Sequence, residues 1–133
     1  MAFVVDASVC AVWALEDEAS PLAEHAMELL QLEGAIVPAI WWFEIRNVLL
    51  ISERRKRLQV EDLHAFLEDL KELPIRTDQE ADERAIFRFA RKYQLSFYDA
   101  AYMEVASRFN VPLATLDKGL RSAAESAGVP LLA

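Results

Sequence analysis

Three short apolar runs, Phe3-Val4-Val5, Ala35-Ile36-Val37-Pro38 and the segment 111–115 around Leu113-Ala114, offer almost no polar position to either face of a strand. Such strands belong in a sheet covered on both sides, the usual condition of a parallel sheet. The segments between them have helical periodicity. Residues Leu22, Ala26, Leu29 and Leu30 line one face of a helix that Ser20 caps, Pro21 starts and Gly34 ends. Leu63, Phe66, Leu67 and Leu70 line another, between Val60 and Leu73.

The remaining segments complete the alternation. A helix is expected from Ala7 to about Glu16, a long one from Ala39 to Arg57, and one capped by Thr77 or Asp78 that runs through Tyr93. Two more are expected from Tyr98 to Asn110 and from Lys118 to Ala127, the second closed by Gly128. Residues 74–77 suit a short edge strand and residues 129–132 a final strand. Strands alternating with helices in this way specify an α/β fold, a layered sandwich around a mostly parallel sheet. The 133 residues contain no linker or repeat, which makes residues 1–133 a single domain.

Composition narrows the function. The formal charge of -8 disfavours indiscriminate binding to nucleic acid, although Arg54-Arg55-Lys56-Arg57 is a local basic run. A single cysteine, Cys10, excludes an internal disulfide and a multi-cysteine zinc site. Met1 leads into the first strand without the basic region and apolar run of a signal peptide, and no apolar run is long enough for a membrane span. The expected location is the cytoplasm.

The acids give the sharpest signal. Ligands of open parallel sheets bind beyond the carboxyl ends of the strands. Asp6 follows the first strand, and Asp117 follows the strand at 111–115. Asp99 stands in the first turn of a helix, and Glu44 sits among Trp42, Phe43 and Ile45. Asp6 and Asp117 also suit N-caps, and Asp99 suits the helix dipole. An acid inside an apolar helix costs several kcal/mol if buried unpaired, so Glu44 lacks so simple a use. Two carboxylates about 4 Å apart repel by about 4 kcal/mol at an effective dielectric near 20. A cluster of them must protonate, take up a basic side chain or bind a cation. All-oxygen ligands suit Mg²⁺ or Mn²⁺, which can activate water against a phosphodiester.

These residues resemble the PIN-domain ribonucleases, and among them the VapC-type toxins of toxin-antitoxin pairs. The likeness runs through Asp6-Ala7-Ser8, Glu44-Ile45-Arg46-Asn47, Tyr98-Asp99-Ala100 and Leu113-Ala114-Thr115-Leu116-Asp117. It implies a PIN-like three-layer α/β/α sandwich and a metal-dependent endoribonuclease in which Asp6, Glu44, Asp99 and Asp117 hold Mg²⁺ or Mn²⁺. Ser8, Asn47 and Thr115 match supporting positions, as expected of groups that orient metal ligands. The resemblance further implies a homodimer and a VapB-like antitoxin seated in an apolar groove, for which Trp13, Trp41 and Trp42 are the available rings. Arg46, Lys118 and Arg121 are the basic residues nearest the acids in sequence and the candidates for RNA contact.

Two other readings compete. Phosphatases that form an aspartyl-phosphate need a second acid two residues after the first, where this chain has Ser8. A PIN-like module that binds a metal or a partner without cutting RNA uses the same ligands, and the sequence leaves it open. His25 and His64 each lie alone on an amphipathic helix and suit surface positions.

Overall fold

The computed structural model describes residues 2–15 and 17–133. In chain order the elements are β1 (Phe3–Val5), α1 (Ala7–Ala14), α2 (Pro21–Glu33), β2 (Ala35–Val37), α3 (Ile40–Arg54) and α4 (Val60–Lys71). There follow β3 (Ile75–Thr77), α5 (Glu83–Tyr93), α6 (Phe97–Phe109), β4 (Leu113–Ala114) and α7 (Lys118–Ala127). The four strands are all parallel, in the order β3-β2-β1-β4. With its helical layers the sheet forms an α/β/α sandwich. Helices α1, α2, α3 and α4 form one chain of contacts and α5 packs on α6.

The apolar runs are central because they are buried on both faces. Phe3, Val4 and Val5 are fully covered, and β1 has β2 on one side and β4 on the other. Val4 lies opposite both Ile36 and Leu113, which brings the carboxyl ends of β1 and β4 together at one sheet edge. Gly34 makes the α2–β2 junction: its φ is 79°, and a Cβ there would meet the Pro74 carbonyl at 3.2 Å.

Three boundaries differ from expectation, the first two for local reasons. Residues 129–132 form a single parallel bridge, Leu131 to Leu113, rather than a strand. Pro130 has no N–H with which to extend the ladder. Helix α3 stops at Arg54, and Lys56 turns through a left-handed conformation with φ 60°. The expected end of α1 at Glu16 lies outside the described residues; within them the helix ends at Ala14.

The third difference has wider consequences. Neither Thr77 nor Asp78 caps α5. The cap is Asp82, which accepts from the Ala85 amide at 3.2 Å. Asp78 donates its backbone N–H to the Val37 carbonyl at 2.8 Å, and Arg108 on α6 holds its carboxylate with bonds of 2.5 and 3.2 Å. Arg108 also grips Glu104, at 2.7 and 3.1 Å, and Glu104 accepts from the Asp82 amide at 3.3 Å. Both carboxylates are buried, so the arginine satisfies charges that would otherwise be stranded. This brace ties the segment 78–82 to α6.

Candidate active site

Asp6 leaves β1 and becomes the N-cap of α1. Its Oδ1 accepts from the amides of Ser8 (3.0 Å) and Val9 (3.3 Å) and from the Ser8 hydroxyl (2.5 Å). Its Oδ2 accepts from the buried Thr115 hydroxyl. The same two hydroxyls reach across the sheet edge: Ser8 Oγ accepts from the Leu116 amide at 2.9 Å, and Thr115 Oγ1 from the Asp117 amide at 3.1 Å. Ser8 and Thr115 thus lock the end of β1 to the loop after β4. Three donors crowd Oδ1, which leaves the spare acceptor capacity of Asp6 on Oδ2.

The other acids arrive from three helices. Asp117 caps α7, accepting from the Leu120 amide at 2.8 Å, and is exposed. Asp99 is half-buried in the first turn of α6, where Ser96 Oγ accepts from its amide at 3.0 Å. Glu44 is half-buried on α3 and accepts from the Tyr102 hydroxyl at 2.6 Å. The capping uses foreseen for Asp6 and Asp117 are therefore both realised, alongside their gathering at the sheet edge.

Electrostatics connects three of the acids, Glu44 to Asp99 and Asp99 to Asp117. Burial pushes the Asp6 carboxyl up to about 6, against the opposing effect of its hydrogen bonds from Ser8, Thr115 and the Val9 amide. Burial also raises Asp99, and the charge of Asp117 adds to the rise. Glu44 is raised by burial and by the charge of Asp99, against the stabilising bond from Tyr102. Among the described residues none of the four acids makes an ion pair, whereas Asp78, Glu104, Glu18 and Asp17 all do. A negatively charged site without a basic partner calls for a cation.

The donor set suits a hard divalent ion. All four carboxylates would offer oxygen, as Mg²⁺ and Mn²⁺ prefer. Among the described residues no three of them are close enough together to form a ready cage. A Mg²⁺-like ion needs no such cage, since it keeps several waters and binds through one or two carboxylates.

The predicted supporting and binding residues divide. Ser8 and Thr115 bond directly to Asp6, while Asn47 is exposed one turn beyond Glu44. Arg46 lies over the Trp42 ring at 3.8 Å and donates to the Trp42 carbonyl at 2.9 Å, so it is folded against its own helix. Arg121 donates to the Thr115 carbonyl at 2.9 Å, which places it beside the acids, and Lys118 is exposed. Trp41 does not line a groove: it is buried, with its indole N–H on the Cys10 sulfur at 3.4 Å. Trp13 is half-buried and donates to the Ala23 carbonyl, whereas Trp42 is 49% exposed. His25 and His64 are both exposed, as expected.

Sequence reasoning missed Tyr102 and Ser96. Ser96 was detectable as a serine three residues before an acid at a helix start. Tyr102 stands one turn after Asp99 in a helix otherwise rich in buried alanine, where a polar-tipped ring is out of pattern.

The burial of Asp6 carries a measurable cost. Its folded-state carboxyl is raised from 3.8 to about 6, so the ionised form destabilises the metal-free protein above pH 6. Asp6→Asn removes the charge and keeps an acceptor for the α1 amides. We expect the variant to gain about 3 kcal/mol at pH 8 without metal, from about 1.36 kcal/mol per pKa unit. The gain shrinks as the pH falls from 6 to 4, where the wild-type carboxyl protonates. Urea unfolding at the two pH values measures it.

An all-parallel α/β/α sandwich with Asp6 and Asp117 at adjacent strand ends, Asp99 on α6 and Glu44 on α3 has the arrangement of a PIN-like fold. Comparison with known proteins agrees. Residues 3–126 match the PIN domain family, and the chain belongs to it. It is similar to Ribonuclease VapC3 of Pyrobaculum aerophilum, 33% identical over 124 residues that cover 90% of this chain and 92% of that protein. The solved structure of PAE2754 from the same organism has the same fold, with a TM-score of 0.68 at 21% identity over 92% of this chain and 84% of that one. So does FitAcB from Neisseria gonorrhoeae, with a TM-score of 0.67 at 17% identity over 98% and 96%. A toxin-antitoxin complex from Klebsiella pneumoniae matches with a TM-score of 0.59 at 13% identity over 87% of each chain.

Proposed function

We propose that this protein is a VapC-type toxin ribonuclease that hydrolyses RNA phosphodiesters with Mg²⁺ or Mn²⁺ held by Asp6, Glu44, Asp99 and Asp117. Two observations support the proposal: Asp6 and Asp117 follow the adjacent ends of β1 and β4, and Glu44 feels the charge of Asp99 as Asp99 feels that of Asp117, with no ion pair on any of the four among the described residues. A divalent ion bound there supplies a water of lowered pKa and offsets charge developing on the phosphate. The chain's own part is positional. Ser8 and Thr115 fix the Asp6 carboxylate, Asp117 stands exposed at the start of α7 where a phosphate can approach, and Lys118 and Arg121 flank it.

The test is cleavage of total RNA by purified, partner-free protein in Mn²⁺, beside Asp6→Ala. Discrete fragments from the wild type that are missing with the variant support the proposal. No cleavage by folded, metal-loaded protein favours a PIN-like binding module.

Partners belong to the same proposal. No helix among the described residues is long and apolar enough to cross a membrane. Phe43 is 66% exposed and Tyr98 55%, and together with Phe97 they flank a shallow apolar groove that runs between α3 and the start of α6. We assign this face to a second copy of the chain and the face around Trp13, between α1 and α2, to a VapB-like antitoxin. Phe43→Glu is expected to halve the mass measured by light scattering and leave the thermal transition within a few degrees, since Phe43 is outside the core.

A further inference from the structure

We propose that Tyr102 is a positioning residue for Glu44, its hydroxyl holding the carboxylate in place before a divalent ion binds. This inference rests on the metal-dependent reading above. The Tyr102 side chain is 1% exposed on α6, one turn after Asp99, and its hydroxyl donates to Glu44 Oε1 at 2.6 Å. A buried phenol hydroxyl needs a partner, and among the described residues Glu44 is the one it has. The ring is held by the core around Val105, Ala106 and Met103, so the hydroxyl is a fixed point.

Glu44 needs such a point. It has no ion pair and no second hydrogen bond among the described residues. Without that bond the half-buried carboxylate would have no hydrogen-bond anchor among the described residues. The Tyr102 bond engages Oε1 and leaves Oε2 uncommitted. A ring needed for packing alone would do as well without its oxygen. Groups that orient metal ligands typically change metal affinity by 10- to 100-fold when removed.

The experiment titrates Mn²⁺ calorimetrically into metal-free wild type, Tyr102→Phe, Glu44→Gln and the double variant, each below its own thermal transition. Tyr102→Phe is expected to bind Mn²⁺ about 10- to 100-fold more weakly. In the Glu44→Gln background the same change should cost less than about twofold, because the tyrosine then has no carboxylate to hold. The Mn²⁺ concentration for half-maximal RNA cleavage should rise by the same factor, with kcat at saturating metal much less affected. Tyr102→Phe binding Mn²⁺ within about twofold of wild type, or losing as much in the Glu44→Gln background as alone, would overturn the role of Tyr102. Wild type that binds no Mn²⁺ would overturn the metal reading and this inference with it.

Discussion

Asp99→Asn is expected to lower the rate of RNA cleavage in saturating Mn²⁺ by at least about 10²-fold, in the range that loss of a group essential to proton transfer or metal binding produces. The substitution keeps the shape of the side chain. It also keeps the backbone N–H that Ser96 accepts at the start of α6, so the helix should fold unchanged. What it removes is the charge at the centre of the cluster. Asp99 is raised by Asp117 and in turn raises Glu44, so it is the acid that feels or acts on two others. In the metal-free protein the substitution should relieve that repulsion and leave stability equal or higher. Lost cleavage with retained stability separates a functional charge from a structural one, and thermal unfolding beside single-turnover kinetics reads both.

Arg108→Ala is expected to produce the opposite pattern, a large loss of stability. Arg108 holds the carboxylates of Asp78 and Glu104 through four hydrogen bonds, and both acids are buried. Breaking a buried pair by removing one partner typically costs about 3–5 kcal/mol. For a chain of this size that is about 10–15 °C in Tm. The sign of the pH dependence follows from Asp78. The hydrogen bond from Arg108 holds its carboxyl below the usual value of 3.8, against burial. The stabilisation is therefore fully present above about pH 4 and is lost as the pH falls below it. The difference between wild type and Arg108→Ala in urea should be largest near neutrality and narrow in acid. Replacing Asp78, Glu104 and Arg108 together with apolar residues of similar size should cost much less than Arg108→Ala alone.

This brace and the active site share α6, which carries Asp99 and Tyr102 near its start and Glu104 and Arg108 further on. The helix is thus held at one end by an ion network and approached at the other by the acids of β1 and α3.

What could be read in the sequence was whatever depends on near neighbours. The buried runs at Phe3-Val4-Val5 and Ala35-Ile36-Val37 carry their own strand signal, and Ser20-Pro21 with Gly34 gave both ends of α2. Asp6 and Asp117 could be placed at one sheet edge because the first directly follows a buried strand and the second follows another by three residues. The segment 78–82 misled because its conformation is set by Arg108, 30 residues away. The Tyr102 bond to Glu44 spans 58 residues and was equally out of reach. Trp41 and Trp42 show a subtler limit. Successive helical residues point about 100° apart, so one ring enters the core and its neighbour faces outward, and composition does not set that phase.

The central claim is that water, activated at the acids around Asp6 and Asp99, attacks an RNA phosphodiester with a divalent ion in place. The most direct test is the chemistry of the new chain ends, made by purified protein in Mn²⁺ with ¹⁸O-labelled water and again in EDTA. The account predicts cleavage in Mn²⁺ alone, leaving a terminal phosphate that carries one solvent oxygen. Cleavage that persists in EDTA, or ends bearing a 2′,3′-cyclic phosphate without solvent oxygen, would contradict it.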